Sequence, residues 1–405
     1  MPTPAQPPSI LVLNSGSSSL KAALFVPAPG SERAILEASA TGIGQTQGKL
    51  SIQDFREDPA GQPLAQPTDT HNYQSQTEAL AKIAEALHQH AGYPPSAIGH
   101  RIVHGGVHLT THQEITPEVL TQLEQALHFA PLHIPGSLAL IHAAQQLYPG
   151  TRQFACFDTA FHQTLPEQAW RLPIPGEWSD RGVRRYGFHG LSYESIVAQL
   201  QAERALPERL VVAHLGSGSS LAAILRGKSV DTSMGFTPAG GVPMATRTGD
   251  LDPGVLIYLM RSGGLGLDEV EALVNHHGGL TALSGGISDM QQLEAAAAAA
   301  GTPAGQQAAL AIAVFANAVA STIAAYLVPL CGLDMLVFTG GIGEHSASFR
   351  AAVIERLQPL GMRLDAAANQ AAATTLSSTQ SRVLIRLLPA QEDLQIARHV
   401  RAMLG

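Results

Sequence analysis

Cysteine is nearly absent from this chain. Cys156 and Cys331 are the only two in 405 residues. They form neither a metal-spaced pair nor a disulfide framework, which excludes a disulfide-stapled secreted scaffold and fits a reducing, cytoplasmic setting. Lysine is scarce too: Lys21, Lys49, Lys82 and Lys228 are all there are, and charged residues make up only 14% of the chain. A net charge of −8 and a pI near 6.1 argue against nucleic acid as the main partner. The opening MPTPAQPPS has no basic n-region and too much proline for a signal peptide, so residues 1–9 are expected to be a loose, disordered tail. The uncharged run 308–332 reaches bilayer length. It is alanine-rich, interrupted by Asn317, Ser321 and Thr322, and no Lys or Arg lies between Arg261 and Arg350 to anchor it. The expectation is a buried helix and no membrane partner.

Several catalytic signatures are missing. Gly227-Lys228-Ser229 ends like a phosphate-binding P-loop, but its first glycine position is Ala222. No dinucleotide fingerprint follows a strand, and the protein-kinase set, the G-x-S-x-G elbow, H-E-x-x-H and paired C-x-x-C are all absent. The 17 histidines are scattered, which reads as loops and helix faces rather than a metal cluster.

What the chain does have is 45% apolar residues over a length suited to two domains. It also has a distinctive stretch at 10–25, ILVLNSGSSSLKAALF. Four apolar residues, a small polar turn and an apolar return read as strand, tight turn, strand. A turn of Gly and Ser lets backbone N–H groups approach an anion, and Lys21 just beyond it can reach back as a point charge. A serine-rich hairpin with no ligand would look the same. A second copy, LVVAHLGSGSSLAAIL at 210–225, overlays the first at a shift of 200 positions: Gly16 on Gly216, Ser17 on Ser217, Ser19 on Ser219. A repeat so distant is no solenoid period. It predicts two related lobes, each with its own anion-binding hairpin.

Further along, 76–90 has helical period, and 98–106 reads as a strand running into a Gly-Gly turn. Arg101 on that strand offers the forked donor set that matches a planar carboxylate, or else a structural ion pair. A helix over 116–129 leads to the loop APLHIPG, which displays His133, and 153–161 reads as a buried strand ending at Asp158. VRRYGFHG (183–190) gathers arginines and His189 around glycines. The long loop 231–253, with Arg247 and Asp250, is of a length that is commonly functional. FTGGIGEHS (338–346) is strand then glycine loop, a surface for a nucleotide, and Glu392 and Asp393 precede a terminal helix.

These pieces together resemble the acetate and propionate kinase family. The resemblance runs from about Ile10 to Arg398 and rests on NSGSSSLK (14–21), HRIVHGG (100–106), APLH (130–133), FDTAFH (157–162), RRYGFHG (184–190), HLGSG (214–218), DTSMGFTP (231–238), TRTGDLDP (246–253) and FTGGIGE (338–344). It implies an α/β chain with a two-lobed, duplicated actin-like (RNase H-like) ATPase fold and a nucleotide cleft between lobes. The expected boundaries are 10–160 plus 393–405 for the N-terminal lobe and 161–392 for the C-terminal lobe.

The activity so implied is reversible transfer of the ATP γ-phosphoryl group to acetate, giving acetyl phosphate and ADP, with Mg²⁺ (or Mn²⁺) as cofactor, in a cytoplasmic homodimer. By resemblance, Asn14 and Glu392 hold the metal, and Arg101 takes the acetate carboxylate. Asp158, His189 and Arg247 are catalytic. Val103, Leu132, His133, Phe188 and Pro238 surround the acid. Lys21, the 214–218 run (His214, Leu215, Gly216, Ser217, Gly218), Asp289, Met290 and Gln291, and the 341–345 run (Gly341, Ile342, Gly343, Glu344, His345) contact the nucleotide.

A valine at 103 would favour acetate over propionate, by roughly 1–3 kcal/mol per methylene refused. The chain departs from the family pattern at Ser217, Leu191 and Tyr193, Ile134, Ala239–Gly241, Gln291, His345 and Ala390-Gln391, several of them on the nucleotide side. The alternatives are a propionate or short-chain acid kinase, a GTP or pyrophosphate donor, and a non-catalytic nucleotide-binding module of the same fold. Arg101, His189 and Arg247 would have no task in the last.

Overall fold

Ile10, Leu11, Val12 and Leu13 are at most 1% exposed, because a continuous apolar run suits a strand covered on both faces. They open β1 (Ile10–Ser15), which the turn at Gly16 returns as β2 (Ser19–Ala28), followed by β3 (Ser31–Thr41) and β4 (Gly48–Asp54). Next come α1 (Gln76–Ala91), β5 (Ala97–Ile102), α2 (Ile134–Leu147) and β6 (Arg152–Phe157). The second half holds α3 (Gly190–Ala202), β7 (Arg209–Leu215), β8 (Ser219–Leu225), β9 (Lys228–Thr232), α4 (Pro253–Arg261), α5 (Pro303–Ala325), β10 (Met335–Thr339), the short α6 (Gly340–His345) and β11 (Leu384–Leu387). The chain ends in α7 (Glu392–Leu404). This computed structural model describes residues 8–16, 19–44, 48–57, 62–65, 70–71, 73–91 and 94–405. Of the expected tail 1–9, residues 1–7 lie outside the described residues, as do Ser17 and Ser18 of the first turn. Ser9 instead is fully buried, its carbonyl accepting from Ser96 N at 2.9 Å, because it leads directly into β1.

The chain divides into two compact units, Met1–Ala160 with Gln391–Gly405, and Phe161–Ala390. In the first, the central strands run in the order β3-β2-β1-β5-β6, within a nine-stranded sheet. β1, β2 and β3 are antiparallel neighbours, while β5 and β6 run parallel to β1. In the second unit the order is β9-β8-β7-β10-β11, again an antiparallel trio followed by two parallel strands. The same five-strand plan, wound twice, is the physical content of the repeat read from the sequence. The fold is the duplicated actin-like one that the resemblance implied.

The registers refine that repeat. Asn14 lies opposite Lys21 in the first hairpin, and His214 lies opposite Ser220 in the second. The second turn is one residue shorter, so beyond the turn the matching shift is 199, and Ser220 rather than Leu221 occupies the place of Lys21.

Two local expectations need correction. The APLHIPG loop is shorter than read, because α2 already begins at Ile134 with Pro135 in its first turn, where proline's fixed φ is compatible with a helix. The glycine loop after β10 is wound into α6. The uncharged run is helical as expected: Pro303–Leu330 is long and apolar enough to cross a membrane. Its Ala308, Ala311, Phe315, Val319 and Ile323 lie in the core of the second unit.

The first unit's sheet is covered on one face by α1 and α2, which bury Leu80, Ile83, Leu140 and Ala144 against Leu11, Leu13 and Ile98. α7 covers the other. Gly99 of β5 makes that approach possible: a Cβ there would sit 2.6 Å from Ile396 Cγ2 and 2.8 Å from Val400 Cγ2. Both are stiff β-branched side chains in a packed interior. Gly99→Ala should therefore cost about 1–3 kcal/mol of stability, read as a lower denaturant midpoint with an unchanged slope. An unchanged midpoint would show that α7 sits more loosely than described.

Candidate active site

In the first unit, polar residues collect where the parallel strands end, the usual place for ligands in such sheets. Asn14 is next to last in β1, Arg101 next to last in β5, and Asp158 directly follows β6. Arg101 grips Asp158 through Nε (3.0 Å to Oδ1) and Nη2 (2.7 Å to Oδ2), and its Nη1 donates to Asn14 Oδ1 at 3.2 Å. Asn14 Nδ2 in turn donates to Asp393 Oδ1 (2.7 Å) and Glu392 Oε2 (3.3 Å), at the first turn of α7. Glu392 was expected to close the second lobe. It lies in the first unit, because the return to that unit begins at Gln391 and α7 packs on β1.

Charge is concentrated here. Asp158 is 1% exposed, with Arg101 as its ion-pair partner. Burial works to lower the Arg101 pKa, but Asp158, Glu392 and Asp393 reverse this and hold it above its ordinary value. Burial pushes the Asp393 carboxyl up. Its hydrogen bond from Asn14 opposes the rise, and Glu392 adds to it. Asp393 is a member of this cluster that the sequence reasoning passed over, although it stands beside Glu392. Lys21, opposite Asn14, lines a pocket of about 220 Å³ with Glu37, Ser39, Gln53 and Asp393.

These carboxylate and amide oxygens suit a hard divalent cation, which would offset part of the acids' charge. Asn14 and Glu392 are the residues that would hold Mg²⁺, and Asp393 stands beside them through its hydrogen bond to Asn14.

A separate cavity of about 410 Å³ opens beside the first hairpin turn. Val103, Leu132 and His133, three of the residues expected around the acid, line it together with Ser15, Gly16 and the start of α1. The other two belong to the second unit: Phe188 is 1% exposed and its carbonyl pairs with His162 Nε2, while Pro238 sits in the long loop. Val103 forms one wall of a roomy space.

In the second unit, His189 takes a left-handed backbone (φ 57°) at the start of α3. Its ring stacks on His214 with centroids 4.3 Å apart, and its Nδ1 lies 2.8 Å from Ser220 Oγ. Ser220, the register partner of His214, thus orients His189. The sequence overlay missed this because it assumed equal turn lengths. Arg247 Nη1 donates to the Pro238 carbonyl at 3.1 Å, which fastens two interior stretches of the long loop to each other. Gly241 N donates to Asp250 Oδ1 at 2.7 Å and tightens it further. A Cβ placed on Gly218 would lie 3.4 Å from His189 Nε2 and 3.6 Å from Arg247 Nη1, so both donors converge on the turn after β7. Glycine there leaves the space for an anion that they would share.

The remaining expected nucleotide residues divide. The hairpin turn of Gly216 lies against Gly341: a Cβ on the first would be 3.9 Å from the backbone nitrogen of the second. In both hairpins the leading glycine's N–H is committed within the turn, Gly16 to the Ser19 carbonyl at 2.9 Å and Gly216 to Ser219 Oγ at 3.1 Å. Ser217 accepts from Ala245 N through its carbonyl, Leu215 is fully buried, Gly341 and His345 are exposed, and Gly343 is buried beside half-buried Ile342. Glu344 turns inward: Oε1 accepts from Gly340 N (3.0 Å) and Ala390 N (3.1 Å), fastening α6 to the end of the unit. Asp289 caps the helix Met290–Ala297 by accepting from Gln292 N at 3.0 Å, Met290 joins the core, and Gln291 faces outward.

The twice-wound actin-like fold, with its match to the acetokinase family model and to acetate kinase relatives, makes this chain a phosphotransferase with a carboxyl group as acceptor. The chain belongs to the acetokinase family, whose model matches residues 9–398. It is 40% identical over 402 residues to an acetate kinase of Deinococcus radiodurans, covering 98% of each chain. It is 39% identical over 399 residues to a propionate kinase of Citrobacter rodentium, covering 96% of each. Among solved structures, the Porphyromonas gingivalis acetate kinase superimposes with a TM-score of 0.84 at 33% identity, covering 98% of this chain and all of that one (100%).

Proposed function

We propose that the protein catalyses reversible, Mg²⁺-dependent transfer of the γ-phosphoryl group between ATP and acetate. The observation that best supports this is the Arg101–Asp158 pair beside Asn14 at the ends of β5, β6 and β1. A guanidinium has five N–H donors in a fixed fork, and Asp158 fixes its plane while leaving an edge for a substrate carboxylate. An acetate oxygen attacks the γ-phosphorus as the bond to the β–γ bridging oxygen breaks, and ADP leaves with that electron pair. Mg²⁺, which Asn14 and Glu392 would hold, would neutralise charge on the phosphates when bound. Arg247 and His189 donate to the equatorial oxygens as charge builds there, and Lys21 meets the nucleotide phosphates. In such a transfer the protein's part is positioning and electrostatics.

The propionate kinase relatives favour a second reading in which a three-carbon acid is the better acceptor. A cytoplasmic homodimer is the proposed form. Cys156 is buried and Cys331 exposed, at home in a reducing compartment, and α4 presents Val255, Ile257, Tyr258 and Met260 at 41–65% exposure, an apolar face that a second copy would cover.

The decisive experiment incubates the protein with acetate or propionate, Mg²⁺ and either ATP, GTP or pyrophosphate, and measures acyl phosphate. ATP with acetate should give the highest kcat/KM, and a chelator should abolish the signal. Absence of acyl phosphate with every donor would overturn the reading. Light scattering on the same sample should give twice 42.4 kDa.

A further inference from the structure

The cavity beside the first hairpin is larger than the reaction with acetate requires. At about 410 Å³ it falls in the range of pockets for whole small-molecule ligands, roughly 300–1,000 Å³, not that of a methyl group. Its lining is of two kinds. Ile43, Val103, Leu132 and Ala139 are apolar, and Val103 and Leu132 are the residues placed around the acid's tail. Opposite in character are the hydroxyl and amide side chains of Ser75, Gln76 and Thr77 at the start of α1, with Ser137 in the first turn of α2. Among the described residues no Asp, Glu, Lys or Arg lines it, and His133 is its one ionisable side chain. Gln76 ties this wall to the phosphate hairpin by donating from Nε2 to the Gly16 carbonyl.

We infer that this cavity receives the tail of a longer acid, and that the enzyme phosphorylates short carboxylic acids of about four carbons carrying an uncharged hydroxyl terminus, in addition to acetate. The apolar wall covers the methylenes and the hydroxyl and amide wall meets the terminus. A second carboxylate would find no Lys or Arg there among the described residues, and a plain alkyl end would strip water from those polar groups without replacing their hydrogen bonds. The chemistry at the reacting carboxylate is unchanged: its oxygen forms the bond to the γ-phosphorus and ADP departs. This inference rests on the proposed acyl kinase activity.

The test compares kcat/KM for acetate, propionate, butyrate, succinate and 4-hydroxybutyrate with ATP and Mg²⁺, following ADP release so that the fate of the acyl phosphate does not matter. The expected result is that 4-hydroxybutyrate exceeds both butyrate and succinate by at least tenfold. Ala139→Leu, a helix-compatible change that fills the cavity, should remove at least tenfold of 4-hydroxybutyrate turnover and leave acetate within twofold. Gly136→Leu, at a position where a Cβ meets only Gln76 Oε1 at 3.6 Å, should do the same. A steady fall from acetate to butyrate with 4-hydroxybutyrate no better than butyrate would overturn the inference while leaving the acetate reading intact. Equal losses for acetate and 4-hydroxybutyrate in both variants would overturn it too. No turnover of any acid, acetate included, would instead refute the activity on which it rests.

Discussion

Replacing Arg247 by alanine should lower kcat by about 10³-fold or more, the usual worth of an arginine that meets the moving phosphoryl group, while KM for acetate and for ATP stays within a few-fold. The asymmetry follows from where the side chain sits. Arg247 is fastened to its own loop through the Pro238 carbonyl and points, with His189, at Gly218. In the proposed mechanism it is thereby preorganised for charge that appears in the transition state, and interactions made only there change kcat rather than KM. The loop that carries it is pinned elsewhere, by Asp250 to Gly241 N and by Met244 N to the Arg247 carbonyl at 3.0 Å, so the variant should keep its fold. Circular dichroism and the thermal midpoint check that. Arg247→Lys, which keeps the charge but not the planar fork, should recover only part of the loss. A kcat within tenfold of the parent would take Arg247 out of the transition state.

Arg101→Ala should act on the other kinetic constant. Losing a two-pronged, charge-assisted grip on a carboxylate is worth roughly 3 kcal/mol, or about a hundredfold in acetate KM, with nucleotide affinity nearly unchanged. The alanine variant carries a second cost. Asp158, 1% exposed, would lose its ion-pair partner, and breaking a buried pair on one side typically costs about 3–5 kcal/mol. Arg101→Lys separates the two effects, because it retains a positive charge beside Asp158 without the fork. It should fold like the parent and still show a raised acetate KM. An unchanged KM in the lysine variant would mean that Arg101 serves only as the partner of Asp158.

The fold was largely legible because its strongest signals are local. A short apolar run such as 10–13, bounded by a Gly/Ser turn and an apolar return, reads as a strand buried on both faces, and the turn between the two runs makes a hairpin. The repeat then declares that the plan is used twice. What could not be read was anything set by register or by packing between distant segments. The overlay at a constant shift missed the shorter second turn and hence Ser220, because nothing in LGSGSS says how many residues the turn consumes. Glu344, Asp289 and Met290 sit in motifs that suggest ligand contact, yet two of the three spend their polar groups on backbone N–H donors and one fills the core. Buried donors must be satisfied by something nearby, and a linear sequence does not show which acid is nearest. Asp393 was hidden differently: two adjacent acids opening a helix look like ordinary dipole complements, and only the fold shows that Asn14 binds both.

The way α7 completes the first unit bears on how the molecule comes into being. A nascent chain emerging from the ribosome carries β1 to β6 long before α7 exists, so one face of that sheet, with the Gly99 groove, has to wait uncovered while some 230 residues of the other unit are made (Phe161–Ala390). Glu392 arrives with that same late segment. An interrupted chain would therefore keep the Gly/Ser hairpins of both halves but lack Glu392 and Asp393, the two acids to which Asn14 donates.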